Sequence, residues 1–161
     1  MSALLALLRD FHLEKLTMLL RHEAAARLVG QYDANNTYQY IINREEMQLS
    51  WVAKALTELG DAATEAPEVL RPVAGKGTDA SRVVIEEDAR DAQAFVDRWQ
   101  PRLAAMTNAR HATMLRIILG ETLEQKRFFD QALAGCLDLL GRRDAAAGAR
   151  VGSVMATRWI E

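Results

Sequence analysis

Proline is scarce in this chain, and its placement leaves long stretches that nothing in the sequence interrupts. The three prolines lie at positions 67, 72 and 101, and the stretches without them are rich in Ala, Leu, Arg, Glu and Gln, which favour helices. Apolar side chains recur along these stretches with the spacing of a helix that buries one face. We therefore predict an all-α protein made of four long helices.

Glycines and polar capping residues set the predicted ends of the first two helices. The first helix is expected from about Ala3 to Val29, because Gly30 can serve as its C-cap. The second is expected to begin after an N-cap at Asn35 or Asn36 and to end at Gly60.

The last two helices are bounded in the same way. Asp79 or Ser81 is expected to open the third helix. Thr107 or Asn108 is expected to cap the fourth, which continues to Gly141 and carries Cys136 on its apolar seam.

The lengths of the helices and of their connections predict how they are arranged. Four helices of about 27 residues would each be about 40 Å long, and matched helices pack as a bundle. Short links join the first pair and the second pair into two antiparallel helical hairpins, whereas the connection over about 60–79 is long enough to cross the whole bundle. We predict a four-helix bundle with one crossover over 1–141, followed by a flexible tail over 142–161 in which residues 154–160 form a short docking helix.

The net charge and the cysteine content limit the kinds of binding partner and the cellular compartment that we expect for this chain. The formal net charge is only -2 and no polybasic run is present, so we expect no binding to nucleic acid or to anionic membranes. The apolar run at 4–8 is too short for a membrane span. A single cysteine excludes an internal disulfide framework, which favours a reducing cytoplasm.

Several ionisable or amide side chains fall on the predicted inward faces, where a charge needs a partner or a metal. The second helix places Glu45 and Gln48 on its apolar seam, and the third places Asp88 there with Asp91 at its margin. On the fourth helix Glu121 lies between apolar neighbours, with Gln125 one turn on and Glu124 at its flank. Folding the hairpins brings these positions to one level at mid-bundle.

Two of these segments and the crossover resemble the ferritin-like superfamily in its rubrerythrin-type branch. Residues 121–128 read ETLEQKRF and residues 45–48 read EEMQ, and both are similar to the family's Glu-x-x-His motifs. The resemblance implies a di-iron or di-manganese centre. It implies metal-ligand positions at these residues: Glu45, Gln48, Asp88, Asp91, Glu121 and Glu124.

Both histidines of that motif pair are replaced, since Gln48 and Glu124 stand in their places. An all-oxygen site suits Mg, Mn or Ca better than iron. On the first helix Lys15 falls near the centre of the stripe where the family has a carboxylate. Lys15 either forms a salt bridge inside the bundle or reaches solvent, and His12 and Glu23 are alternative inward residues.

We therefore expect a degenerate di-metal centre without a cofactor, in a non-enzymatic module that binds a partner or an unidentified small molecule. The alternative is a Fe or Mn di-metal protein with oxidase, peroxide-handling or storage chemistry. A third possibility is a purely structural polar network. A homodimer is expected in each case, and His22 and His111 are assigned packing roles.

Overall fold

The computed structural model of the chain describes residues 2–72, 75–136 and 138–140. These residues form four helices and no strand: α1 (Ala3–Ala26), α2 (Tyr32–Glu58), α3 (Thr78–Ala104) and α4 (Ala109–Leu133). The all-α, four-helix prediction is confirmed. The predicted tail over 142–161 and its docking helix lie outside the described residues.

The turn between α1 and α2 differs from the prediction. α1 ends at Ala26, three residues early, because the Asn35 side-chain amide donates to the carbonyls of Ala26 (2.8 Å) and Val29 (3.1 Å). The Asn35 side chain therefore donates to free carbonyls at the end of α1 and does not cap the start of α2. The N-cap of α2 is Gln31, whose side chain accepts a hydrogen bond from the Ala34 amide at 2.6 Å.

The ends of α2 and α4 both depend on a glycine with positive φ. Gly60 (φ 82°) follows α2, and the Asp61 amide returns to the Leu56 carbonyl at 3.0 Å, so the predicted stop at Gly60 is confirmed. Gly135 (φ 87°) ends α4 well before Gly141. The predicted length of α4 is wrong for this reason, and Cys136 is exposed after the helix rather than buried on it.

The start of α3 differs from the prediction, whereas the start of α4 agrees with it. α3 begins at Thr78 after Gly77, ahead of both predicted caps, and no side chain caps it. Asn108 caps α4 as predicted, because its side chain accepts from the His111 amide at 3.1 Å.

Each helix packs on two others. α1 packs chiefly on α2 and α4 packs chiefly on α3, while α1 also contacts α3 and α2 also contacts α4. Ion pairs join α1 to α3 at Asp10–Arg102 (3.0 Å) and Arg21–Asp91 (3.1 Å). Contacts between α2 and α4 include the rings of Tyr40 and Phe128, 6.1 Å apart, and the ion pair Glu58–Arg110 (3.2 Å).

Two apolar clusters fill the interior. One contains the packed rings of Phe11, Phe95 and Trp99, and the other contains Tyr38 and Phe129. Each helix also buries polar side chains near its middle: Lys15 on α1, Glu45 and Gln48 on α2, Asp88 on α3, and Thr122 and Gln125 on α4. The core is therefore split at mid-length by a polar layer.

None of the helices within the described ranges has the length and apolar content needed to cross a membrane.

Candidate functional site

Lys15 lies at the centre of the polar layer, on the face of α1 that also buries Leu8 and Phe11. Its ammonium nitrogen Nζ is 2.8 Å from Glu45 Oε1 on α2 and 3.3 Å from Thr122 Oγ1 on α4. All three side chains have no exposed surface. The prediction of a Lys15 salt bridge inside the bundle is confirmed, and a position in solvent is wrong.

His22 lies two helical turns further along the same face of α1. Its Nδ1 is 2.7 Å from Glu45 Oε2. The two carboxylate oxygens of Glu45 therefore contact different turns of α1, because Oε1 contacts Lys15 and Oε2 contacts His22. The other ring nitrogen, Nε2, lies 4.0 Å from Asp88 Oδ1 on α3. His22 therefore links the two buried carboxylates, which is more than the packing role predicted for it.

Asp88 receives contacts from α2 and from the crossover. The Tyr38 hydroxyl donates to Asp88 Oδ2 at 2.5 Å, and Arg71 Nη2 lies 2.9 Å from Asp88 Oδ1. Arg71 belongs to the connection between α2 and α3, yet its side chain is only 2% exposed. It also donates to the main-chain carbonyls of Arg21 (2.7 Å) and Val84 (2.9 Å).

Burial and neighbouring charge act in opposite directions on these groups. Burial of His22 favours the neutral imidazole, but the Glu45 and Asp88 carboxylates outweigh it and raise the pKa of His22 above 6.5. Burial likewise works against ionisation of Glu45, yet His22 and Lys15 lower the pKa of Glu45 below 4.5. The pKa of Tyr38 is raised well above 10 by burial and by Asp88. The layer thus holds ionised Glu45 beside cations.

Of the other predicted ligand positions, Gln48 is buried, whereas Asp91 and Glu121 lie toward the surface. The Gln48 amide nitrogen donates to Glu121, which also pairs with Arg44 at the edge between α2 and α4. The Asp91 side chain is 43% exposed and pairs with Arg21, 3.1 Å away. Glu121 and Asp91 thus each pair with an arginine rather than with the residues that contact Glu45 and Asp88.

Residues on α4 differ most from the prediction. Glu124 is 49% exposed and pairs with Arg127 on its own helix, and Glu121 is only partly buried. The interior positions are taken by Thr122 and Gln125. The buried stripe of α4 runs through Leu115, Leu119 and Thr122, about one residue away from the predicted one, so the expected convergence of Glu121 and Glu124 on the centre is wrong.

The remaining candidates of α1 lie elsewhere. His12 is buried toward the crossover, with Nδ1 2.7 Å from Thr64 Oγ1, and burial lowers its pKa. Glu23 is only partly buried. His111 contacts the capping residue Asn108, as its predicted packing role requires.

This donor set does not fit the di-metal centre that the resemblance implies. Glu45 faces Lys15, and Asp88 faces Arg71, so each buried carboxylate already has a side-chain cation. Within the described part of the chain, no group of three or more His, Cys, Asp or Glu side chains is arranged to hold a metal ion. Two further metal ions would add charge where the carboxylates are already compensated.

Comparison of the chain with models of protein families, with curated proteins and with solved structures finds no match.

The ionisation of His22 and Glu45 predicts how stability depends on pH. A raised pKa in the folded state means that the His22 contribution is complete below about 6.5, the unfolded value, and is lost as the pH rises through the folded pKa. The lowered pKa of Glu45 means that its contribution is complete above about 4.5 and is lost as the pH falls through the folded pKa. The contributions of both groups to the free energy of unfolding are therefore complete together only between about pH 4.5 and 6.5.

Urea denaturation of the wild type and of His22→Gln between pH 5 and 9 measures this effect. We expect the wild type to lose free energy of unfolding above about pH 6.5, and His22→Gln to lose less over the same range. His12 contributes in the opposite sense, because burial lowers its pKa, and it is present in both proteins. Parallel pH profiles for the two proteins would contradict the assignment to His22.

Proposed function

We propose that this chain is a ferritin-like bundle of two antiparallel hairpins in which an internal lysine takes the place of the metal centre. In this proposal it is a cytoplasmic, non-catalytic module that binds a partner or a small molecule, and it forms a homodimer. It needs no metal cofactor.

The order of contacts along the helices supports this topology. Residue numbers fall along α3 as they rise along α1, from Asp10–Arg102 to Arg21–Asp91. They also fall along α2 as they rise along α1, since Asn35 contacts Ala26 whereas Glu45 contacts Lys15. α2 and α3 would then be parallel, and the crossover between them has to run the length of the bundle.

The observation that carries the metal-free proposal is the contact of Lys15 Nζ with Glu45 at 2.8 Å in a site with no exposed surface. An ammonium in contact with a carboxylate supplies the positive charge that a bound metal would otherwise supply. It also excludes a cation from that side of Glu45 by repulsion.

Elemental analysis by plasma mass spectrometry tests this proposal. Untagged protein is purified without chelator from cells that were offered iron and manganese, and we expect less than about a tenth of a transition-metal ion per chain. About one to two ions per chain would overturn the proposal in favour of a Fe or Mn protein with oxidase, peroxide-handling or storage chemistry. In that event Glu45→Ala and Glu121→Ala would each be expected to lose the metal.

The homodimer is tested separately by sedimentation. Met47 and Ile117, on α2 and α4, are large apolar side chains that remain 44% and 50% exposed, and a subunit contact would cover them. A species of only 18.0 kDa would contradict the dimer and would leave the metal-free centre unaffected.

A further inference from the structure

α2 and α4 share an outer face of the bundle whose centre is apolar. Two ion pairs join the helices along this face, Arg44 with Glu121 and Glu58 with Arg110. Between the two pairs, the large apolar side chains at the surface are Met47, Trp51, Met114 and Ile117. An exposed apolar cluster rimmed by polar residues is typical of a surface that contacts another protein chain.

Charged residues flank the apolar centre at equal distances on both helices. On each helix an arginine and a glutamate lie seven positions to either side of a central apolar residue. These trios are Arg44, Trp51 and Glu58 on α2, and Arg110, Ile117 and Glu124 on α4. Seven residues make nearly two helical turns, so the members of a trio share one face and lie about 10 Å apart along the axis. The face is therefore close to symmetric in spacing but not in charge.

The two ends of the face carry opposite net charge. One end carries Lys54, Glu58 and Arg110, and the other carries Arg44, Glu121 and Glu124. The first end thus has two cations and one carboxylate, whereas the second has two carboxylates and one cation. A second chain that presents the same face is attracted when opposite ends meet and repelled when like ends meet.

We propose that the α2–α4 face binds the same face of a second copy of this chain, about a two-fold axis that is perpendicular to the helices at the level of Ile117. In this arrangement each helix lies antiparallel to its own copy, and Ile117 contacts the partner's Ile117. Arg110 lies opposite the partner's Glu124, and Arg44 lies opposite the partner's Glu58. This inference rests on the homodimer of the proposed function, and it adds the surface and the register of the contact.

The size of the face is sufficient for a specific dimer. The face extends from the contact of Tyr40 with Phe128 to the ion pair of Glu58 with Arg110. This length is about 27 Å at 1.5 Å per residue, and two adjacent helices are about 20 Å wide. The dimer would therefore bury about 500 Å² on each chain and about 1,000 Å² in total, which is the lower bound for a biological contact.

Complementary charge reversals test the orientation of the two chains. Arg110→Glu and Glu124→Arg each place like charges opposite each other twice in the dimer, so we expect the dissociation constant of either variant to rise at least about tenfold in sedimentation equilibrium. An equimolar mixture of the two variants pairs opposite charges at both contacts, and we expect it to form a mixed dimer about as stable as the wild-type dimer. A mixture that dissociates as readily as the single variants overturns the proposed orientation.

Arg82→Glu is the control for these charge reversals. Arg82 is an exposed arginine of α3 that pairs with Glu86 on its own helix, so it lies away from the α2–α4 face. We expect its reversal to leave the dissociation constant unchanged. Equal weakening by Arg82→Glu and Arg110→Glu would contradict a contact through Arg110.

Glutamate at the apolar centre tests the contact itself. Ile117→Glu places two carboxylates beside the two-fold axis, and we expect the dissociation constant to rise about a hundredfold. Met47→Glu on α2 is expected to act in the same direction. Leu123→Glu is the matched control, because Leu123 is 43% exposed on α4 but lies six residues from Ile117, on a different side of the helix. Equal weakening by Leu123→Glu and Ile117→Glu would overturn the proposal.

Circular dichroism checks that each variant keeps the helical content of the wild type. A dimer that persists unchanged in folded Ile117→Glu and Met47→Glu overturns this interface but leaves the homodimer of the proposed function. A wild type that sediments only as an 18.0 kDa species refutes the homodimer itself and leaves the face to a protein of another sequence. If the glutamate variants do not fold, the mixture of charge reversals decides, because it leaves the apolar centre intact.

Discussion

Replacing Lys15 by Met is expected to lower the free energy of unfolding by about 3–5 kcal/mol, the range for removing one partner of a buried ion pair. Methionine has a similar volume, so the change leaves little cavity and chiefly removes the charge. Glu45 Oε2 would keep its contact with His22, whereas Glu45 Oε1 would lose its contact with the Lys15 ammonium. Thr122 would lose the same donor.

Urea denaturation of Lys15→Met, Glu45→Gln and the double variant measures the effect and assigns it to the pair. The double variant is expected to be more stable than Lys15→Met, because a neutral amide at position 45 no longer needs a counter-ion. Simple addition of the two single effects would mean that Lys15 stabilises the bundle by packing alone.

Lys126→Met is the matched control for Lys15→Met. The Lys126–Asp130 ion pair has a distance of 2.6 Å, slightly shorter than that of the Lys15–Glu45 pair. The side chains of Lys126 and Asp130 are both partly exposed to solvent, however. Exposed pairs contribute about 0–1 kcal/mol. Equal costs for the two substitutions would contradict the argument that burial makes the Lys15 pair important.

The place of Lys15 was predictable because it depends only on the period of a helix. Positions 8, 11, 15, 18 and 22 fall on one face at 100° per residue, and all five are buried in α1. The same reasoning predicts that Glu45, Gln48 and Asp88 point inward, and each of these predictions is confirmed. A lysine within an apolar stripe indicates a buried ion pair, because a buried ammonium needs a group of opposite charge beside it.

The same method failed on α4 because the stripe there is ambiguous. Apolar residues occur on both sides of Glu121, and the choice between Met114 and Leu115 as members of the buried face moves the stripe by one residue. That shift exchanges Glu121 for Thr122 at the centre. Thr122, the second hydrogen-bond partner of Lys15, is therefore not predicted, although it is fully buried.

Arg71 could not be predicted from periodicity at all. It lies in an irregular segment between two prolines, where side-chain direction follows from the path of the chain and not from a repeat. The buried position of His22 agrees with the packing role predicted for it, and its place seven residues after Lys15 on the same face could also have indicated a role in the polar layer. The pairing of Glu45 with both residues follows from the packing of α1 on α2, which a sequence pattern alone does not specify.

Replacing Trp99 by Ala is expected to cost about 3–5 kcal/mol, the range for truncating a large buried aromatic. Trp99 is 1% exposed, and its ring meets Phe11 edge-on with centroids 4.8 Å apart. Its indole nitrogen donates to Glu14, and the guanidinium of Arg102 lies 4.0 Å from the ring centroid. Urea denaturation measures the cost, and Trp51→Ala is the control, since Trp51 is only partly buried. A smaller loss for Trp99 than for Trp51 would contradict this description of the core.

The Trp99 variant also tests whether the apolar cluster and the polar layer depend on each other. Phe95 contacts both, because its ring lies 6.1 Å from the Trp99 ring and 5.5 Å from Lys15 Nζ. If Phe95 moves into the cavity left by Trp99→Ala, water reaches Lys15 and the pair with Glu45 weakens. The effects of Trp99→Ala and Lys15→Met are then expected to be non-additive by about 0.5–3 kcal/mol. Additive effects would mean that the polar layer holds its geometry independently of the aromatic cluster.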